Sequence, residues 1–240
     1  MLKRVILLLS VVIYITACQS TGSANGKDVS VVKPDKLCAL TFDDGPDPVK
    51  TQRVLDVLKE HKVPATFFMV GSRVNDGSKK VIDQMLSMGC EIGNHSWDYD
   101  SLNTASVESI NNKIAKTQDA IKRVAGVEPK FFRPPNLAVS KTMFNTIQLP
   151  FVEGVLGFDW AGCGTTAEAR AQKVLEGMAD GAIILLHDVQ PDPHPTPEAL
   201  EILIPELKKR GYEFVTLSEL FKRKGIDPAS RQGSMWKYVR

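Results

Sequence analysis

The sequence predicts an α/β fold, a distorted (β/α) barrel of about seven parallel strands covered by helices, and three observations carry that expectation. Apolar runs of strand length alternate with segments of helical periodicity through most of the chain. Once an N-terminal leader is set aside, about two hundred residues remain, enough for one domain with a sizeable core and too few for two ordinary ones. Polar side chains capable of chemistry, namely Asp43, Asp44, His95, Arg133, Asp159 and His187, fall at the C-terminal ends of the predicted strands. A closed barrel gathers those ends on one face, whereas an open doubly wound sheet spreads them along an edge, so a shared site favours the barrel.

Strands are predicted at 37–42, 65–70, 90–94, 130–133, 155–159, 182–187 and 213–216, each a short apolar run that gives way to polar or turn-forming residues. Between them, Val54, Leu55, Val57 and Leu58 mark a first helix. Val81, Ile82, Met85 and Leu86 mark a second, and Ile110, Ile114, Ala120, Ile121 and Val124 a third. Helices at 167–179 and 197–210 follow, the latter with Pro197 at its start and Gly211 just past its end.

The chain opens with Met1-Leu2-Lys3-Arg4, an apolar run over 5–15, and Ile15-Thr16-Ala17-Cys18. This reads as a signal peptide over 1–17 ending at a lipoprotein cleavage box; the apolar run is short of the roughly 20 residues of a membrane span. Similarity to bacterial lipoproteins implies that Cys18 becomes the lipidated first residue. Gln19 after it points to the periplasmic side of the outer membrane rather than the inner membrane. Residues 18–35, rich in Ser, Thr, Gly, Asn, Lys and Pro, read as a flexible tether, 36–222 as the folded domain, and 223–240 as a basic, solvated tail. A net charge of +2 with interspersed signs gives no argument for nucleic acid as a partner. With Cys18 set aside, Cys38, Cys90 and Cys163 form neither a CxxC metal motif nor a disulfide framework; Cys38 and Cys90 lie in apolar runs as buried thiols.

The most informative stretch is Thr41-Phe42-Asp43-Asp44-Gly45-Pro46-Asp47-Pro48, where two adjacent carboxylates leave an apolar strand for a Gly-Pro turn. Adjacent strand residues face opposite ways, so one carboxylate can bind a metal while its neighbour moves a proton. His95, in Asn94-His95-Ser96-Trp97-Asp98-Tyr99, would start a site for zinc or another divalent metal together with Asp44. His187 ends the run Ile183-Ile184-Leu185-Leu186-His187-Asp188, and Asp159 in Phe158-Asp159-Trp160 can pair with it, raise its pKa and make it a general acid. Asp188 reads as a cap on the turn that follows. Arg133 precedes Pro134-Pro135, which force an extended path and hold its side chain near the strand end, where its guanidinium could grip Asp43 and keep it ionised or form a purely structural ion pair. Trp97 and Trp160 offer aromatic faces to a sugar ring or to the core. A two-metal phosphoesterase would need a basic cluster and further carboxylates, which the chain lacks.

Together these segments resemble the NodB-type polysaccharide deacetylases, carbohydrate esterase family four, over nearly the whole chain from about Leu37 to Leu220. The resemblance implies a metal-dependent hydrolase that removes acetyl groups from a glycan, most of all N-acetylglucosamine residues of peptidoglycan or chitin-type oligosaccharides. It implies Asp43 as catalytic base, Asp44 and His95 as metal ligands, Arg133 as the residue orienting the base, and Asp159 as the residue tuning the acid His187. Leu185 would line the acetyl pocket, Trp160 would flank it, and the backbone N–H of Asn136 would face the oxyanion. Tyr99 stands where the family has a second metal-binding His; Asp98 and Asp100 are the nearby candidates to replace it, as is water. The sequence leaves two alternatives: a carbohydrate-binding lipoprotein that lost its metal, and an O-acetyl esterase of the acetylxylan type.

Overall fold

The computed structural model describes residues 35–161 and 166–240. The leader, Cys18, nearly all of the tether and Cys163 lie outside the described residues. Six strands, β1 (Lys36–Asp43), β2 (Thr66–Met69), β3 (Glu91–Asn94), β4 (Val155–Leu156), β5 (Ala182–His187) and β6 (Tyr212–Phe214), form one parallel sheet in the order β3-β2-β1-β5-β4, with β6 beside the start of β1. Its helices are α1 (Lys50–His61), α2 (Lys79–Ser87), α3 (Val107–Ala125), α4 (Lys141–Thr146), α5 (Ala167–Glu176), α6 (Thr196–Lys209) and α7 (Leu217–Lys224). The expected β-then-α rhythm is present, and α4 and α7 are additions to it.

The strand expected at 130–133 is reduced to single bridges from Phe132 to Asn94 and to Phe151. Pro129 behind it and Pro134-Pro135 ahead of it lack donors and restrict their neighbours, so a longer ladder cannot form. That segment nonetheless occupies the gap beyond β3 and carries the sheet round toward β4, giving the distorted barrel. The strand expected at 155–159 also stops early, because Phe158 turns into the left-handed region at φ +53°.

Strand alternation sorts the core into two. Cys38, Leu40, Phe42, Phe67, Met69, Ile184 and Leu186 face the helices, where they meet Val54, Leu55, Leu58, Leu200 and Leu203. Leu37, Ala39, Phe68 and Ile183 face the barrel interior with Phe131 and Val152. The inward column of β1 continues through Thr41 to Asp43, and that of β5 through Leu185 to His187. The register pairs Thr41 with Leu185 and Asp43 with His187. Two reactive side chains therefore crown the inner core at the same level.

The C-terminal segment is not a solvated tail. Trp236 bonds in both directions to the chain around Phe151 and Glu153, and Ile183 donates to Lys237 O and Val239 to Gly181 O. Trp236 and Val239 are buried, and the Trp236 ring stands edge-on to Phe221 at 5.1 Å. Apolar residues spaced among the basic ones join the inner core beside the segment that leads into β4 and the start of β5. Cys38 and Cys90 are buried free thiols, and burial pushes the Cys90 thiol up to about 11. Among the described residues no helix is long and apolar enough to cross a membrane.

Candidate active site

Asp43 ends β1 in extended backbone, but Asp44 is left-handed at φ +80°, so the two carboxylates do not diverge as alternation alone would have them. Both approach one imidazole: His95 Nε2 lies 3.6 Å from Asp44 Oδ1 and 3.9 Å from Asp43 Oδ2. The turn depends on Gly45, where a Cβ would come within 2.2 Å of Asp188 Oδ2. Asp188 reaches back rather than forward, accepting the Gly45 N–H at 3.2 Å and meeting the Thr51 hydroxyl. Burial, and then the charge of Asp44, push the Asp188 carboxyl up to about 7.

Non-glycine residues with positive φ cluster at this end of the barrel: Asp44, Ser96, Asn136, Leu137 and Phe158 each adjoin or belong to a predicted site segment. Such backbone costs roughly 1–2 kcal/mol per residue. Its concentration here marks a place where positioning has outweighed stability.

His95 is fixed from behind. Its Nδ1 lies 2.7 Å from Arg133 O, and a carbonyl only accepts, so Nδ1 carries the proton and the Nε2 lone pair faces Asp43 and Asp44. A lone pair opposite two carboxylates is stable only with a proton or a cation between them. Burial opposes charge on this ring, but Asp43 and Asp44 outweigh it and raise its pKa. A neutral imidazole and carboxylate oxygens around one point suit a divalent cation of nitrogen and oxygen preference, and Asp44 and His95 are the side chains that could hold it. Among the described residues no set of three or more His, Cys, Asp or Glu side chains is arranged to hold a metal ion.

The Arg133 guanidinium is fully buried and donates to Asp43 Oδ1 at 2.7 Å and to Glu153 O at 3.0 Å. Its charged plane lies 4.2 Å from the centre of the Phe68 ring, and Phe68 has room because its neighbour is Gly93, where a Cβ would strike the ring at 2.4 Å. Across the mouth, His187 Nδ1 lies 2.8 Å from Asp159 Oδ1, and Asp159 Oδ2 accepts the His187 backbone N–H at 2.6 Å. Burial lowers the pKa of this ring, yet Asp159 overrides it and carries His187 up to about 9. The same pairing holds the Asp159 carboxyl below its ordinary value despite burial.

Asp43, Asp44, His95 and His187 open into a cleft of about 390 Å³ whose walls include Tyr99, Pro135, Asn136, Leu156, Trp160, Leu185 and Gln190. Asn136, Trp160 and Leu185 thus line the same cleft as the two aspartates and two histidines. The amides of Leu137 and Ala138 close onto Pro134 and Pro135, leaving the Asn136 amide outside those turn bonds. The Trp160 ring meets His187 edge-on at 5.7 Å. Trp97 does not reach the cleft; it packs on the outer core beneath the Lys116 ammonium. Asp98 and Asp100 are both drawn to Lys113, at 2.6 and 2.7 Å, and neither lines the cleft. Tyr99 does line it, with its hydroxyl accepting from Arg73 at 2.8 Å and 3.3 Å from Asp44 O. Gln190, not singled out in the sequence, donates to Asp44 Oδ2 at 2.8 Å; nothing in its local pattern signals that role.

A family model described as polysaccharide deacetylase matches residues 30–149. A solved family 4 acetyl xylan esterase from Clostridium thermocellum, in complex with a cobalt ion, is 56% identical, with a TM-score of 0.82 over 85% of this chain and 99% of that one. The chain belongs to the polysaccharide deacetylase family. This deacetylase-family chain is also 40% identical to a bifunctional xylanase/deacetylase from Pseudobutyrivibrio xylanivorans over 95% of its own length. A peptidoglycan-N-acetylglucosamine deacetylase from Listeria monocytogenes is 41% identical over 85% of it. The chain spans only 37% and 42% of those two relatives. The family match includes the Asp43-Asp44, His95 and Arg133 segments; beyond it, His187 enters the same cleft from β5, with Asp159 buried behind it.

Proposed function

We propose that this chain is a metal-dependent hydrolase that removes acetyl groups from a glycan, foremost from N-acetylglucosamine residues of peptidoglycan or chitin-type oligosaccharides. The observation that carries this reading is the facing of two differently prepared units across one cleft, Asp43 with Arg133 and His187 with Asp159. A site that only bound sugar would have no use for a matched base and acid, which argues against the binding-lipoprotein alternative.

Asp44 and His95 would hold the metal, for which we propose zinc; when bound it supplies electrophilic polarisation of the acetyl carbonyl and acidifies water. Asp43, fixed by Arg133, takes the proton from the attacking water. The Asn136 backbone N–H faces the oxygen that gains charge, where one such donor is worth on the order of 3 kcal/mol. Leu185 and Leu156 wall the methyl end of the acetyl group, and Trp160 shields the acid from bulk water. His187, protonated up to about pH 9, donates from Nε2 to the leaving amine. Tyr99 remains a neutral phenol, its pKa raised by burial and by Asp44.

A second reading, an O-acetyl esterase acting on acetylated xylan, is favoured by the similarity to the Clostridium thermocellum esterase. Acetate release from N-acetylchitooligosaccharides, peptidoglycan and acetylated xylan, with and without chelator, separates the two. The first reading expects chelator-sensitive release from the N-acetylated substrates; release from xylan alone would replace it with the second. We further propose that residues 1–17 are a lipoprotein signal peptide, and that a lipid on Cys18 and a tether from it present the domain to envelope glycans at the periplasmic side of the outer membrane. Labelling with a fatty-acid analogue, lost in Cys18→Ala, tests this.

A further inference from the structure

Behind the cleft, Asp159 is held by a buried chain that the reaction above does not use. Arg170 on α5 is 1% exposed, and its Nη1 donates to Thr196 Oγ1 at 3.2 Å; Thr196, the first residue of α6, is 2.9 Å from Asp159 Oδ2. The bond directions are forced. A guanidinium has donors only, so the Thr196 hydroxyl accepts from Arg170 and must direct its one proton at Asp159. Asp159 Oδ2 then receives two donors, Thr196 O–H and the His187 backbone N–H. With that oxygen occupied, the carboxylate plane is set and Oδ1 is left for His187 Nδ1. The ring is thereby oriented with Nε2 toward the cleft. Helices α5 and α6, which pack side by side, act as a clamp on the partner of the acid.

We infer that Thr196 and Arg170 are positioning residues for His187, acting through Asp159, and that their effect grows with the leaving group's need for a proton. The inference rests on the deacetylase reading. In the step concerned, the C–N bond to the acetyl carbon breaks, its electron pair stays on nitrogen, and the His187 Nε2 proton moves there, leaving a neutral ring. An aryl acetate needs no such proton, because a phenolate leaves unaided. A residue that served only stability would affect both substrates equally.

The test uses the full chain with Thr196→Val, which keeps the shape and removes the hydroxyl, and Thr196→Ser, which keeps the hydroxyl. On N-acetylchitooligosaccharides kcat should fall on the order of 10-fold in Thr196→Val, part of what general acid catalysis contributes, with KM little changed. On 4-methylumbelliferyl acetate the fall should stay under about two-fold, and Thr196→Ser should restore the first activity. Equal losses on both substrates, or no loss on the amide, would overturn the inference. A second readout needs no turnover: the His187 Nδ1 proton should give a slowly exchanging low-field NMR signal in the wild type and Thr196→Ser, and exchange faster in Thr196→Val and Arg170→Met. An unchanged signal in Thr196→Val would also overturn it. If the wild type releases no acetate from any glycan, the deacetylase reading fails while the ring signal still decides the positioning.

Discussion

Replacing Asp159 by Asn keeps the volume of the side chain and removes the charge that sets the acid. In the wild type Asp159 carries His187 from an ordinary value of 6.5 up to about 9 against the effect of burial. That rise corresponds to on the order of 3 kcal/mol favouring the imidazolium. The geometry makes the substitution worse than a loss of charge. Asp159 Oδ2 accepts from both the His187 N–H and Thr196, so the Asn oxygen must take that place and its NH2 must face Nδ1. The ring is then fixed as the neutral tautomer. With no partner charge, burial returns its pKa to 6.5 or below, so at pH 8 the protonated fraction falls from about nine-tenths to about one-thirtieth or less. Amide hydrolysis at pH 8 should therefore drop by about 30-fold or more, and the alkaline limb of kcat should move from near 9 to 6.5 or lower. The assay is acetate release from an N-acetylchitooligosaccharide across pH 5 to 10 (about the range bracketing both values), with an aryl acetate as the control. An alkaline limb that stays near 9 in Asp159→Asn would refute the assignment of His187 as the acid.

Other consequences are as direct. Arg133→Met leaves Asp43 buried without its ion pair, and the midpoint of urea unfolding should report a loss of about 3 to 5 kcal/mol along with activity. Trp236→Ala should cost about 3 to 5 kcal/mol in the same assay, because the ring is buried edge-on to Phe221 and its Nε1 donates to Pro228 O. Gly45→Ala drives a Cβ into Asp188 and should destabilise by about 1 to 3 kcal/mol while disordering the Asp43-Asp44 turn. Asp188 sits near 7 in the folded chain against an ordinary 3.8, so the folded state binds the extra proton and this group withdraws stability as pH rises from 3.8 through about 7. In metal-free protein, Asp188→Asn should flatten the stability profile over that window, as followed by thermal unfolding at stepped pH.

The local signals in the sequence were sufficient wherever one strand end determined the geometry. Asp43 and His187 end apolar runs whose register is set by burial on both faces, and period two alone assigns their inward columns. Asp159 was legible because a carboxylate beside a histidine-bearing strand has an obvious partner. What was hidden depends on contacts distant in sequence. Lys113, on α3, draws Asp98 and Asp100 away from the cleft, and no pattern around either aspartate reveals it. The left-handed turn at Asp44 leads into Gly45, whose lack of a Cβ is required by Asp188 from far along the chain. The C-terminal segment looked solvated because its charge was counted without its spaced apolar residues, whose partners Phe151, Gly181 and Phe221 lie elsewhere in the chain. Arg170, not singled out in the sequence, is buried on α5, which packs against α6.

The proposed reaction requires a metal, and Asp44 and His95 are the side chains proposed to hold it. The decisive measurement is the metal content of the full chain after loading with zinc and removal of excess, by mass spectrometry beside acetate release, in the wild type, Asp44→Ala and His95→Ala. Stoichiometric metal and acetate release are expected in the wild type, with both lost in either variant while the fold persists by circular dichroism. Wild-type protein that retains no metal and still releases acetate in chelator would contradict the metal requirement.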